Sequence, residues 1–289
     1  MALGLFKFAL SLYLLGTAGY LLFIIFQNKR VARVSYGVLG FGFLIHTLAI
    51  ALWVGQSRSL PVQTLGESLS FFAWAVMGVF LIVELRFGIL VLGSFLSPLA
   101  SVLMISSSFF PLQPGPANPL LKQFWLIVHV ATIFIGNGVF AVAFLAGIMY
   151  LIQERQIKSK RFGPFYYRLP SLEVLDALNY NCLIVGFPLL TLGMFSGAVF
   201  AQYTLGSFWR WDPKEVWSLF TWLLYAALLH GRLVSGWRGR RSAMISIAGF
   251  LVLIFSFVGI NLLVTGYHSF SALNNPALQI QAPGKMKKF

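Results

Sequence analysis

Of 289 residues, 58% are hydrophobic and only 10% are charged, with a mean hydropathy of +0.83; a soluble domain usually carries about 25% charged residues. Water is therefore excluded as the solvent for most of this surface, and the bilayer takes its place. The net charge of +14 comes from 21 basic and 7 acidic residues, but the basic residues cluster in short loops between apolar runs, so no nucleic acid is expected as a partner.

A helix needs about 20 apolar residues to cross the hydrocarbon core. Eight stretches qualify or nearly do, at 3–26, 35–54, 68–83, 87–105, 124–152, 179–200, 216–233 and 242–264. They predict an all-α polytopic membrane protein with about eight transmembrane helices. The first run is too long for a signal-peptide core and lacks a small-residue cleavage site, so it reads as a retained span. Lys29, Arg30 and Arg33 follow it. Arg86 lies between the third and fourth spans, and the third is short. Arg155, Lys158, Lys160, Arg161 and Arg168 separate the fifth from the sixth. Arg232, Arg238, Arg240 and Arg241 separate the seventh from the eighth. These alternate loops hold 13 of the 21 basic residues, which marks them as cytoplasmic. Lys285, Lys287 and Lys288 lie on the wrong side for that rule, and four agreeing loops outweigh one tail. The outward loops are then 55–67, the Pro-rich 111–119 and 201–215. Cys182, the single cysteine, sits in an apolar run and reads as a small buried hydrophobe. No Cys-x-x-Cys motif is present, so the chain is neither a thioredoxin-like reductase nor itself a c-type cytochrome.

The third outward loop is unlike the others. Tyr203, Phe208, Trp209, Trp211 and Trp217 crowd around Arg210, Asp212, Lys214 and Glu215. An interfacial aromatic belt accounts for two or three of the rings, but not for acids packed among them. Asp212-Pro213-Lys214-Glu215 predicts a helix start, with Asp212 as N-cap, Pro213 as first helical residue and Glu215 closing a capping box. A capped helix start beside indoles makes a rigid, mostly apolar shelf. It suits a flat, hydrophobic macrocycle with charged propionates, for which Arg210 and Lys214 are the nearest cations. Cations at a membrane surface also read simply as solvated.

Ionisable side chains within spans are costly and are candidates for function by default. Four histidines are present, His46, His129, His230 and His268. His129 lies five residues into the fifth span, within about 10 Å of its outer end at 1.5 Å per residue, and His268 follows the eighth span on the same side. Two neutral imidazoles on opposite faces of a haem iron make a six-coordinate site. His230 lies roughly 20 Å deeper than Trp217, and His46 about halfway along the second span. Neither can share a ligand with the outer pair, so they mark a deeper site or are packing residues.

The run Trp209-Arg-Trp211-Asp212-Pro213-Lys214-Glu215-Val-Trp217 resembles the Trp-rich WWD signature of haem-handling proteins in cytochrome c biogenesis. Trp125 to His129 resembles that family's first external histidine, and Asn261 to His268 its second. Thr221-Trp222 through Leu229-His230 resembles the continuation to a transmembrane histidine, and Leu65-Gly66-Glu67-Ser68 the acidic start of a span. The likeness covers most of 124–270, about half the chain. Eight spans and this length resemble the CcsA (ResC) family, the membrane component of the System II synthetase, more than the shorter CcmC. Leu205 stands before Gly206 where that family commonly has Trp, Phe208 replaces a common Tyr, and Phe200 another Trp. These departures thin the polar edges of the pocket without touching axial ligation.

The resemblance implies haem b as the group handled. Gly206, Trp209, Trp211, Asp212 and Trp217 would line the outer site, with His129 and His268 as axial ligands to the haem iron and His230 at a transmembrane haem site. It implies a CcsB (ResB) partner, apocytochromes c offering Cys-x-x-Cys-His, and a membrane subunit of a holocytochrome c synthetase. The expected organisation is 1–120 as four N-terminal spans, 121–270 as the haem-handling core and 271–289 as a short tail. The expected location is the bacterial inner membrane, multi-pass, with the WWD segment on the periplasmic side; a thylakoid membrane is also compatible. Rival readings are a haem transporter without attachment chemistry and a haem-binding assembly factor. A quinone-linked b-type cytochrome ranks lower, because it usually needs paired histidines at two depths.

Overall fold

The computed structural model describes residues 1–57, 60–110, 112, 123–160 and 163–259. His268, the end of the eighth predicted span and the 271–289 tail lie outside them. All regular structure among the described residues is helical: α1 (Ala2–Phe26), α2 (Lys29–Ser57), α3 (Leu65–Phe87), a 3-10 turn (Leu90–Leu92) leading into α4 (Gly93–Ser108), α5 (Phe124–Lys158), the short α6 (Pro164–Arg168), α7 (Leu172–Leu205), α8 (Pro213–Val234), and α9 (Arg240–Ile254) running on into a π turn (Phe255–Gly259). Seven of the described helices are long and apolar enough to cross a bilayer, so the chain is a multi-pass membrane protein. The seventh predicted span, α8, reaches 22 residues but is not among those seven. Lys214, Glu215, His230 and Arg232 dilute its apolar character, and it is the most amphipathic of the long helices.

Helices α1 to α4 pack together, α5 joins α7, α8 and α9, and α3 against α5 links the two groups. Hydrogen bonds between helices specify the first group, as expected where lipid offers no hydrophobic drive for helix association. Tyr13, Thr17 and Tyr20 share one face of α1. The Thr17 hydroxyl is 2.9 Å from that of Ser101, and the single Tyr20 O–H proton is shared between the two Glu84 oxygens, 2.7 and 2.8 Å from Oη. Tyr13 Oη lies 3.3 Å from His46 Nδ1, and His46 Nε2 lies 2.9 Å from Ser70 Oγ. His46 is fully buried, so of its two readings the structure supports the packing histidine.

The third span, short in sequence, is a 23-residue helix. Glu67 and Ser68 at one end and Glu84 at the other look like solvent edges in sequence, yet all three are buried. Thr64 and Glu67 form a capping box, Glu67 Oε2 also accepts from the Gln63 amide at 2.7 Å, and Glu84 is taken up by Tyr20. Gly88, at φ 65°, closes the other end, its N–H donating to Glu84 O.

In the second group, α5 and α7 are the two longest helices, with 35 and 34 residues. At 1.5 Å per residue each spans roughly 50 Å, well beyond a hydrocarbon core of about 30 Å. The end of α7 away from the 201–215 loop is held by Asp176, whose carboxylate accepts from Arg232 Nη1 and Nη2 at 2.9 and 2.6 Å and from the Gly239 amide at 2.8 Å. This joins α7, α8 and the start of α9.

Candidate functional site at the loop end of the second helix group

The Trp-rich segment is the turn between α7 and α8. Helix α7 stops at Gly206, whose φ of 75° lies in the left-handed region that glycine adopts without a Cβ penalty, and its N–H donates to Gln202 O. The chain restarts at Asp212 as predicted. The Asp212 side chain accepts from the Lys214 amide at 2.9 Å, Pro213 occupies the first turn, and the capping box with Glu215 is complete.

Glu215 does more than close the box. Its Oε2 accepts from the Arg210 amide at 2.8 Å and the Asp212 amide at 3.3 Å, so one carboxylate pins the turn from inside. Ser207 Oγ donates to Trp209 O at 2.8 Å. Between these anchors Trp211 takes φ 59°, uncommon for a bulky residue. The result is an indole that is 77% exposed, edge-on to Trp209 with ring centroids 5.9 Å apart. Trp217, at the start of the second turn of α8, packs instead against Phe255 at 4.8 Å. The segment therefore divides: Trp211 is the presented ring, with the half-buried Trp209 edge-on to it, while Asp212, Glu215, Gly206 and Trp217 build its support.

His129 is on α5, against the same helix α7 that the turn ends. The start of α5 is tied to the end of α7 by Thr204 Oγ1, which donates to Gln123 Oε1 at 3.4 Å. His129 is six residues further along α5, about 9 Å at the helical rise. Its imidazole Nδ1 donates to Gly193 O of α7 at 2.7 Å. A Cβ built on Gly197 would stand 2.6 Å from Nδ1 and 2.8 Å from Cε1, and one on Gly193 would stand 2.5 Å from Ile133 Cδ1. Gly197 thus leaves a notch that takes the imidazole, and Gly193, four residues earlier, leaves room for Ile133. Sequence reasoning passed over this notch, although small-x-x-x-small spacing in an apolar helix is a known mark of close helix approach.

His230 is placed differently. It is exposed and shares a face of α8 with the exposed Val216, Phe220 and Leu223, thirteen residues or about 20 Å along the helix from Trp217. That face points away from the chain's own bundle. Among the described residues, no group of three His, Cys, Asp or Glu side chains could hold a bare metal ion. A haem iron makes a smaller demand, one imidazole on each face.

Residues 62–268 match the family described as Cytochrome C assembly protein. The chain is 37% identical over 273 residues to a cytochrome c biogenesis protein CcsA of Chlamydomonas reinhardtii, covering 90% of this chain and 74% of the relative. It is 34% identical over 300 residues to the CcsA of Synechococcus sp. strain CC9311, covering 93% and 97%. Among solved structures the fold is similar to that of a cytochrome c heme lyase CcmF, with a TM-score of 0.61 at 18% identity, over 89% of this chain and 46% of that one.

Proposed function

The chain belongs to the CcsA family of cytochrome c assembly proteins, and on that premise we propose that it binds haem b at the outer membrane face and presents it for thioether attachment to apocytochromes c. A role in cytochrome c maturation follows from the family. The observation that carries the finer reading is the exposed Trp211 indole, edge-on to the half-buried Trp209 and held by Glu215 through the Arg210 and Asp212 amides, on the turn that ends α7, the helix whose Gly193 carbonyl meets His129.

The residues present fit such a group. The two indoles offer apolar faces to a flat macrocycle, Arg210 and Lys214 stand at the turn as partners for carboxylates, and His129 offers a neutral imidazole. His268 is proposed as the second axial ligand. Bound haem supplies vinyl groups, across whose C=C bonds the two cysteine S–H groups of an apocytochrome add to form thioethers. The protein's own contribution is to position the reactants, which can lower a barrier by several kcal/mol. The outward face of His230 supports a transmembrane haem site completed by a CcsB-like partner, not one enclosed within this chain. The orientation is the one set by the basic loops, with the Trp-rich turn outside, in a bacterial inner membrane or a thylakoid. Residues 1–120 serve as scaffold and 121–270 as the haem-handling core. The alternative, a haem transporter or assembly factor without attachment activity, draws on the same exposed His230.

Trp211→Gly tests the shelf, because glycine adopts φ 59° freely and only the indole is lost. Aromatic stacking worth about 1.5 kcal/mol predicts roughly a 10-fold loss of haem affinity with unchanged thermal stability. The measurement is haem titration of the purified protein with its partner. Unchanged affinity contradicts the shelf.

A further inference from the structure

The environment of His129 specifies more than its depth. We infer that the Gly193 carbonyl and the Gly197 notch of α7 hold His129 as the Nδ1-protonated tautomer, making Nε2 the iron-binding nitrogen and Gly193, Ser196 and Gly197 positioning residues for that ligand. The inference rests on the proposed haem reading for its function, though not for its geometry.

A backbone carbonyl can only accept, so the 2.7 Å contact between Nδ1 and Gly193 O requires the proton on Nδ1. A neutral imidazole carries one N–H, which leaves the lone pair on Nε2. In the opposite tautomer the Nδ1 lone pair would face the carbonyl lone pairs at the same 2.7 Å. Ser196 Oγ lies 2.7 Å from Leu192 O and 3.0 Å from the same Gly193 O, its one proton shared between the two carbonyls, which helps hold the acceptor in place. Steric room completes the device. A methyl group at Gly197 would occupy the space of the imidazole edge, 2.6 Å from Nδ1, and would push the ring off the carbonyl. Metal-bound histidines are commonly oriented by an outer hydrogen bond from the second nitrogen, which also raises ligand basicity. Here α7 supplies that bond from its main chain, so no side-chain substitution can delete it while glycine is kept.

The test is nitrogen NMR of the full-length, haem-free protein carrying 15N-histidine, with the His129 resonances assigned by their loss in His129→Gln. The expected result is protonated Nδ1 and unprotonated Nε2 in the wild type. Gly197→Ala is expected to shift His129 towards the other tautomer, to bind haem about 10-fold or more weakly and to raise the haem midpoint potential. Gly136→Ala, whose methyl would meet Leu189 Cβ at 3.3 Å on the same helix pair, is expected to leave the tautomer unchanged. A wild-type spectrum with protonated Nε2 overturns the inference, and it does so even if Gly197→Ala fails to fold. A folded Gly197→Ala with wild-type tautomer and affinity also overturns it. If the wild-type tautomer is as stated but His129→Gly leaves the haem spectrum unaltered, the ligand reading fails and the positioning role with it, leaving only a packing contact.

Discussion

Asp176→Asn is expected to destabilise the protein by about 3–5 kcal/mol, the range for removing one partner of a buried ion pair. The Arg232 and Asp176 side chains are only 7% and 17% exposed. The guanidinium lies over the Tyr180 ring, 4.5 Å from its centroid, and donates twice to the carboxylate. Asparagine keeps the shape and leaves Arg232 buried without its counter-charge. The carboxylate also binds the Gly239 amide, so the start of α9 loosens as well. The effect reaches the proposed deep site, since Arg232 is two residues beyond His230 on α8. Heating the protein in mild detergent and measuring the monodisperse fraction by size exclusion checks this. A double Asp176→Asn, Arg232→Gln variant is expected to recover part of the loss, because no isolated charge remains. Equal melting of wild type and Asp176→Asn contradicts the assignment.

Glu215→Ala is expected to release the Trp-rich turn while leaving the helices intact. It strands the Arg210 and Asp212 amides and opens the capping box, at roughly 1 kcal/mol for each lost acceptor. The left-handed backbone of Trp211 costs about 1–3 kcal/mol. The restraint lost is therefore comparable with the strain it opposes, and Trp211 relaxes out of its presented position. Far-UV circular dichroism should stay unchanged while the near-UV indole signal weakens and haem affinity falls about 10-fold. Glu215→Gln keeps an oxygen that accepts both amides and is expected to retain most of each property. If Glu215→Ala keeps its near-UV signal and its haem affinity, Glu215 does not hold the turn.

Features that depend on neighbouring residues were legible in the sequence. The start of α8 is the clearest, because capping chemistry acts within four residues of Asp212. The apolar runs likewise located the long helices to within a few residues at most ends. The exceptions share a cause, which is that partners distant in sequence change the meaning of a polar residue. Glu84 reads as a span edge until Tyr20, 64 positions earlier, takes both its oxygens. Arg232 reads as one more basic loop residue until Asp176 meets it across 56 positions. His46 keeps two readings open until Tyr13 and Ser70 close around it. For His230 the sequence shows depth along α8 but not which side of that helix faces its own bundle. The φ of Trp211 leaves no mark in composition or spacing, because it is imposed by Glu215 and the two helix ends.

The most direct test of the central claim is the optical spectrum of the purified protein with its membrane partner, oxidised and reduced, in wild type and in His129→Gly, with and without added imidazole. The account predicts a six-coordinate b-type spectrum in the wild type, its loss in His129→Gly, and its return when imidazole fills the space left by the side chain. An unchanged spectrum in His129→Gly would contradict the account, because the imidazole set against Gly193 and Gly197 would then hold two helices together and not a haem.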